Sequence, residues 1–467
     1  MDTSAPQVSS RPAAVSFGGA VKVWAKVAAL SFGGPAGQIA VMHRILVEER
    51  RWIGERRFLH ALNYCMLLPG PEAQQLAIYI GWLMHRTLGG IVAGTLFVLP
   101  GLVSIMALSV LYALYGSLGP VSALFFGLKC AVLVIVVQAV IRLGRRSLRT
   151  PAMIATAALA FVALFVFRVS FPVVVLSAGL AGWASARAGL SVFRSGSGHG
   201  AGGGAVPDAD TVLGEETPEH ARPRIGRSLA VSGVILALWL GPVLACVALL
   251  GPDSVFSRIG LFFARMAVVT FGGAYAVLAY VAQEAVQSYG WLKPGEMLDG
   301  LGLAETTPGP LIMVTQFVGF LAALRARTGL PPLAAGILGG LLTTWVTFTP
   351  CFLWIFLGAP FVEALRGARA LSAALAAIGA AVVGVILNLA VWFSLHVLFA
   401  RSVEVRGLGM RLELPDLTSV NLAAAALGLA AAVAAFRFRV GVIPLLGASS
   451  AAGVALFLAG ATAALPP

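Results

Sequence analysis

The chain has 467 residues, of which 59% are hydrophobic and only 11% charged, with a mean hydropathy of +0.92. That balance excludes both a soluble globular protein and a disordered one, and it calls for a lipid bilayer as solvent. The formal net charge of +13 does not argue for a nucleic-acid partner, because the 32 Lys and Arg residues sit mostly in short loops between apolar segments, where such charges act as orientation signals.

Residues 1–15 are polar, predict a disordered tail, and lack the order of a cleavable signal peptide. Apolar segments follow at roughly 20–46, 58–84, 88–115, 118–141, 151–167 and 169–187. They supply the runs of about twenty residues that a hydrocarbon layer roughly 30 Å thick requires of a helix. The short alternating segments of a membrane barrel are not visible. Residues 188–227 are rich in Gly and Ser and then acidic, at Asp208, Asp210, Glu215, Glu216 and Glu219; they read as a flexible hydrophilic linker. One extra segment, 228–250, leads into six more at about 256–283, 296–324, 330–357, 371–399, 417–436 and 440–463. The expected fold class is therefore an all-α polytopic membrane protein with near thirteen apolar segments.

The two halves, 16–187 and 251–467, read as repeats. Ser31-Phe32-Gly33-Gly34 returns as Thr270-Phe271-Gly272-Gly273, Trp52 as Trp291, and Pro69-Gly70-Pro71 as Pro308-Gly309-Pro310, each 239 positions on. The loop inside the first copy carries Arg44, Arg50, Arg51, Arg56 and Arg57, whereas its counterpart carries Glu284, Glu296 and Asp299 against Lys293. By the positive-inside bias the first loop is cytoplasmic and the second outside, which predicts inverted repeats. Each Gly/Pro motif divides its segment into arms of about half a membrane span. Two forms fit such arms, a re-entrant hairpin and a kinked spanning helix, since Gly and Pro are ordinary in membrane helices.

Breaking a helix inside a membrane frees backbone N–H groups where an unsatisfied polar group costs several kcal/mol. A helix N-terminus presents aligned donors and a partial positive charge, which suits an anion, and Pro35, Pro71 and Pro310 stand where new helices begin. Candidate anion-binding positions are thus Ser31, Gly33, Gly34, Gly70, Thr270, Gly272, Gly273 and Gly309. Beside them stand Gln74 and Gln75 after the first Pro-Gly-Pro, and Thr306 and Thr307 before the second. Lys26 and Arg265, also 239 apart, are cations in apolar sequence and would neutralise a dianion. Glu72 and Glu305 are the coupling-proton candidates.

Plainer readings stand beside these. The breaks would let helices pack closely, Lys26 would snorkel, and the acids would cap helix N-termini. Asn63 and Gln316 are weaker candidates, and His43, His60 and His85 sit near segment ends. Cys65, Cys130, Cys246 and Cys351 lie singly, which disfavours a disulfide framework or a zinc site. No ATP-binding pattern and no HExxH, GxSxG or clustered His/Asp set appears, so neither an enzyme, a metal nor a cofactor is expected.

The stretches SFGGPAGQIAVMHR, ERRWI, LLPGPEAQQLAIYIGW, TFGGAYAVLAYVAQEAVQSYGWL and LAETTPGPLIMVTQFVGF resemble the chromate ion transporter family in its long two-domain form. The resemblance spans nearly the whole chain outside the tail and linker. It implies a bacterial inner-membrane protein with two oppositely oriented homologous halves, exporting chromate and conferring chromate resistance. The implied partners are chromate or a related oxyanion and the lipid bilayer, and a homo-oligomer is compatible with it. Members of the family often carry Gln where this chain has Met66, which puts a binding role at that position in doubt. A dianion leaving an interior-negative cell gains about 4.6 kcal/mol per 100 mV, so export needs only a selective path. Sulfate has nearly the same shape and charge, and is the alternative substrate.

Overall fold

The computed structural model describes residues 15–32, 34–190, 192–193, 206–215, 218–221, 225–271, 274–359, 369–407 and 410–460. Gly33, Gly272 and Gly273, nearly all of the expected N-terminal tail and much of the expected linker lie outside these residues. The described chain is a helical bundle of sixteen α-helices with one two-stranded sheet. This is an all-α multi-pass membrane protein. Among the described residues, five helical stretches are long and apolar enough to cross a bilayer.

Helix α1 (Phe17–Leu30) starts on Ser16, whose hydroxyl accepts the Gly19 N–H, and ends at the first break. Beyond it run α2 (Gly34–His43) and a π-helical turn, Arg44–Glu49. One continuous helix would hold Lys26 and Glu49 roughly 35 Å apart. Their side chains instead meet at 3.2 Å, and the Trp24 and Trp52 rings lie 6.2 Å apart. The chain therefore turns back at Phe32.

The next pair does the same. Helix α3 (Glu55–Cys65) is followed by the Pro-Gly-Pro break and by α4 (Glu72–Tyr115), and the Tyr64 and Tyr79 rings meet across the turn at 6.0 Å. Inside α4, His85 and Arg86 leave helical geometry, Arg86 at φ 57°. A Cβ on Gly81 would stand 2.5 Å from the Gly89 carbonyl oxygen, so α4 is two helices folded against each other at this point. The sequence segments ending at 84 and beginning at 88 mark that fold-back correctly.

Helices α5 (Gly119–Ser147), α6 (Pro151–Phe165) and α7 (Phe171–Arg187) complete the first half. Helix α8 (Ile225–Leu250) is largely unburied and is pinned to the second half by two indoles. Trp239 donates to the Val346 carbonyl at 2.9 Å and Trp345 to that of Leu238 at 2.7 Å.

The second half repeats the pattern. Helices α9 (Val255–Val269) and α10 (Ala274–Ala282) are followed by a π turn at Gln283–Ser288, again 239 positions after the first. Phe262 meets Tyr289 at 5.5 Å, which turns this segment back as well. Helix α11 (Pro294–Thr306) and α12 (Val314–Arg325) flank the second Pro-Gly-Pro. There a Cβ on Gly300 would stand 2.5 Å from the Phe317 ring. All four broken segments are thus re-entrant hairpins, and the kinked-helix form is excluded.

Helices α13 (Pro332–Gly358), α14 (Arg369–Leu398), α15 (Leu422–Phe436) and α16 (Val442–Leu458) close the bundle. Small residues set their crossings. Gly127 of α5 lies so close to α16 that a Cβ there would meet the Ser449 carbonyl oxygen at 1.9 Å.

Two elements depart from the sequence reading. An antiparallel hairpin, β1 (Ser402–Gly407) and β2 (Met410–Pro415), stands between α14 and α15, tied down by the Arg411 N–H on the Val166 carbonyl at 2.8 Å. Its alternation of Val403, Val405, Leu412 and Leu414 with charged residues was the signal for it. Secondly, the described part of the linker is docked. Val212 and Leu213 donate to the carbonyls of Arg51 and Trp52 at 2.9 and 3.1 Å, and Asp208 pairs with Arg56 at 3.0 Å.

Candidate functional site at the crossing of four hairpins

The two halves interlock at their breaks through one exchanged pair of backbone hydrogen bonds. The Gly70 N–H donates to the Thr270 carbonyl at 3.0 Å, and the Gly309 N–H to the Ser31 carbonyl at 2.8 Å. Gly70 and Gly309 are repeat partners, as are Ser31 and Thr270, so each half threads its Pro-Gly-Pro turn into the first break of the other. Both glycines hold positive φ, 113° and 106°, a region that L side chains avoid. The supports correspond too: Gly70 faces Cys351 of α13, and Gly309 faces Gly101 of α4. Gln38, fully buried, closes the node by donating to the Gly309 carbonyl at 2.6 Å.

This node gathers Ser31, Gly34, Gly70, Gln74, Gln75, Thr270, Thr307 and Gly309 from the sequence list. Four hydroxyl protons there are already committed. Ser31 donates to Val27 O at 2.7 Å, Thr270 to Met266 O at 2.5 Å, Thr306 to Leu303 O at 2.8 Å and Thr307 to Ala304 O at 3.2 Å. Each of these hydroxyls bonds a carbonyl of the helix it ends. Gln75 donates to Pro69 O at 2.7 Å.

Gln74 differs. It stands in the first turn of α4 at 0% exposure, and neither its Nε2 nor its Oε1 has a hydrogen-bond partner. An unpaired buried amide costs about 1–3 kcal/mol, so such a group calls for an occupant. The α4 N-terminus beside it has no side-chain cap. Gln316, a weaker candidate, donates to Leu102 O at 3.0 Å and leaves its Oε1 unpaired.

The acids flank the Pro-Gly-Pro turns in the chain, Glu72 directly after the first and Glu305 three residues before the second. Glu305, 3% exposed, accepts from the Tyr275 hydroxyl at 2.7 Å, with Arg142 in electrostatic reach. Glu72 has Arg146 in reach, and Arg146 also donates to Met66 Sδ at 2.9 Å. Arg142 and Arg146 sit one turn apart on α5, and neither was singled out from sequence as a site residue. The same is true of Gln38, whose polarity inside an apolar segment was the available signal.

Lys26 and Arg265 are not brought to the node. Lys26 is about half exposed and held by Glu49, and Arg265 is exposed on α9 with Tyr280 of its own hairpin in reach. Because exposed ion pairs contribute little, Glu49→Gln is expected to change stability by less than about 1 kcal/mol, checked by thermal denaturation in detergent. His43 is tied to Glu55 at 2.6 Å and Glu48 at 3.1 Å. It serves the loop and not the node.

Fold and node together define a multi-pass membrane protein built on two interlocked pairs of re-entrant hairpins. The family model for the chromate transporter matches residues 17–183 and 257–455. This chain belongs to the chromate transporter family. A chromate transport protein of Pseudomonas aeruginosa is 32% identical, over 77% of this chain and 77% of its own length. A chromate transport protein of Cupriavidus metallidurans is 29% identical, over 78% and 80%. A probable chromate transport protein of Synechococcus elongatus is 28% identical, over 72% and 74%. No solved structure matches the chain.

Proposed function

We propose that this protein exports chromate across the bacterial inner membrane, driven by the membrane potential or a proton gradient, and so confers chromate resistance. The observation that carries the reading is Gln74, a fully buried amide without a partner, in the first turn of α4 and four residues after the Gly70 that bonds the opposite half. A tetrahedral dianion there would accept from the Gln74 amide and from the first-turn N–H groups of α4. Family membership supplies chromate as the first substrate to test.

In this reading the Gly/Pro breaks, whose sequence motifs include Gly33, Gly34, Gly272 and Gly273, form the anion path. The hydroxyls of Ser31, Thr270, Thr306 and Thr307 become donors only if they release their helix carbonyls. Lys26 and Arg265 act at a distance as attracting charges. Glu72 and Glu305 are the proton acceptors if transport is proton-coupled. The protein works as a carrier and not as an enzyme.

Inverted halves, 16–187 and 251–467, joined by the linker and α8, also belong to the proposal. Its support lies in α4. At His85 this helix touches the start of α1, through the Val15 carbonyl at 2.9 Å and the Phe17 ring at 5.6 Å. About 40 Å of helix further on, Tyr112 touches Asp299 midway along α11. The start of α1 and the first half of α11 thus meet opposite ends of the second arm of α4, which favours the inverted arrangement.

Uptake of labelled chromate and sulfate into everted vesicles tests the substrate. Chromate uptake above an empty-vector control is expected, and uptake of sulfate without chromate would sink the reading in favour of a sulfate carrier. Single cysteines replacing Arg50 and Lys293, in a background without native cysteines, are expected to label from opposite faces. Labelling from the same face ends the inverted arrangement.

A further inference from the structure

A cleft of about 700 Å³ opens between the ends of α4 and α12 and the starts of α5 and α11, lined by Tyr112, Lys129, Lys293, Glu296, Asp299 and Arg325 among others. Its three cations outnumber its two carboxylates. Arg325 is held in place, donating to both oxygens of Glu296 at 2.5 and 2.8 Å and to the Trp291 carbonyl at 3.1 Å. Lys293 stands exposed at the rim. On the floor Asp299, 3% exposed, takes the Lys129 ammonium at 3.3 Å and the Tyr112 hydroxyl at 2.9 Å. Tyr112 is itself fixed edge-on between Phe125 and Phe317, each 5.1 Å away.

A buried ion pair is a poor device for stability, because desolvation offsets its Coulomb energy, and intramembrane ionisable residues usually mark ion paths. Position matters as well. Asp299 is six residues before Glu305 on α11, so the cleft floor lies only about 9 Å along the helix from the node. Lys129 is partly exposed and pairs with Asp299 as an ion pair at 3.3 Å, and its ammonium carries three donors.

We infer that this cleft is a second oxyanion station, in which Lys129 and Lys293 take a divalent tetrahedral anion and Asp299 holds Lys129 while the anion is absent. The exchange conserves charge at Lys129, which trades one anionic partner for another, and Tyr112 keeps Asp299 hydrogen-bonded meanwhile. This rests on the transport reading above and places an anchorage between the node and the face that carries the start of α11.

The test uses the full-length protein in oriented proteoliposomes, with chromate and sulfate presented in turn from each face at fixed ionic strength. Lys293→Glu is expected to raise KM about fivefold or more from the face bearing α11 and to leave the other face unchanged. Arg327→Glu, outside the cleft on a neighbouring groove, is the control for general surface charge. Asp299→Asn keeps the shape of the side chain but removes its hold on Lys129, so KM from the same face is expected to fall.

A folded Asp299→Asn protein with unchanged KM overturns the inference, as does an effect of Lys293→Glu matched by Arg327→Glu. Should Asp299→Asn not fold, the comparison of Lys293→Glu with Arg327→Glu decides. Transport by the wild type with silent variants removes the second station alone. Wild-type vesicles that move neither anion remove the transport reading and this inference with it.

Discussion

Replacing Gln74 by Met is expected to reduce chromate transport at least about tenfold while leaving the protein as stable as the wild type or slightly more so. Most buried polar substitutions lose stability and function together, since a hydrogen bond is broken. Gln74 has none to break, as both ends of its amide are unpaired at 0% exposure. Met is a fitting replacement in volume, and it is what the second half carries at the corresponding position, Met313. Gln38→Met supplies the contrast. It removes the 2.6 Å bond to the Gly309 carbonyl and leaves a buried acceptor unsatisfied, at a cost of about 1–3 kcal/mol. Thermal denaturation in detergent beside vesicle uptake separates the two. Wild-type flux from Gln74→Met, or loss of its fold, would refute a binding role for this residue.

The second large effect is expected at Gly309. Gly309→Ala places a side chain at φ 106°, a strain of about 1–3 kcal/mol. The new Cβ would also stand 3.0 and 3.1 Å from Gly101 Cα and N. Those are backbone atoms of α4 and cannot rotate away, so the helix must shift and the bond to the Ser31 carbonyl weakens with it. Gly70→Ala has the same strain at φ 113°. Its Cβ meets instead the ends of two side chains, Cys351 Sγ and Gln75 Nε2 at 3.1 Å, which can move. Gly309→Ala is therefore expected to be clearly the more destabilising of two equivalent substitutions, with loss of folded protein after detergent extraction. Equal melting temperatures for the two variants would contradict that account of the node.

Both expectations depend on a feature absent from either half alone. The exchanged bonds from Gly70 to Thr270 and from Gly309 to Ser31 join residues about 200 positions and more apart in the chain. Re-entry, too, is decided by contacts such as Lys26 with Glu49 and Phe262 with Tyr289. A bent spanning helix and a hairpin share the same apolar run and the same Gly/Pro motif, so the motif alone leaves the direction of exit open.

Residue type points to positions that gather, while the partner each side chain takes there is set by its surroundings. Ser31, Thr270, Thr306 and Thr307 reach the node or its edge, yet their hydroxyls close their own helices. Lys26, paired with Arg265 by spacing, is drawn to Glu49 because a long side chain near an interface finds the nearest carboxylate. Asp299 read as an acidic loop residue. It is in fact buried in α11 against Lys129 and Tyr112, which a charge count along the chain does not register.

The sequence by itself determined that the chain lives in a membrane, that it is duplicated with a 239-residue offset, and that its helices break at two Gly/Pro motifs in each half. These properties are local: apolarity, backbone freedom and missing N–H groups belong to short stretches and are written in them. Tertiary structure alone decided that all four broken segments double back and that each Pro-Gly-Pro turn docks in the opposite half. It alone decided that Gln74, among many polar candidates, is left without a partner. Those outcomes depend on which distant groups arrive beside one another, and in a fold closed by backbone hydrogen bonds between its halves, that is settled only when both halves are in place.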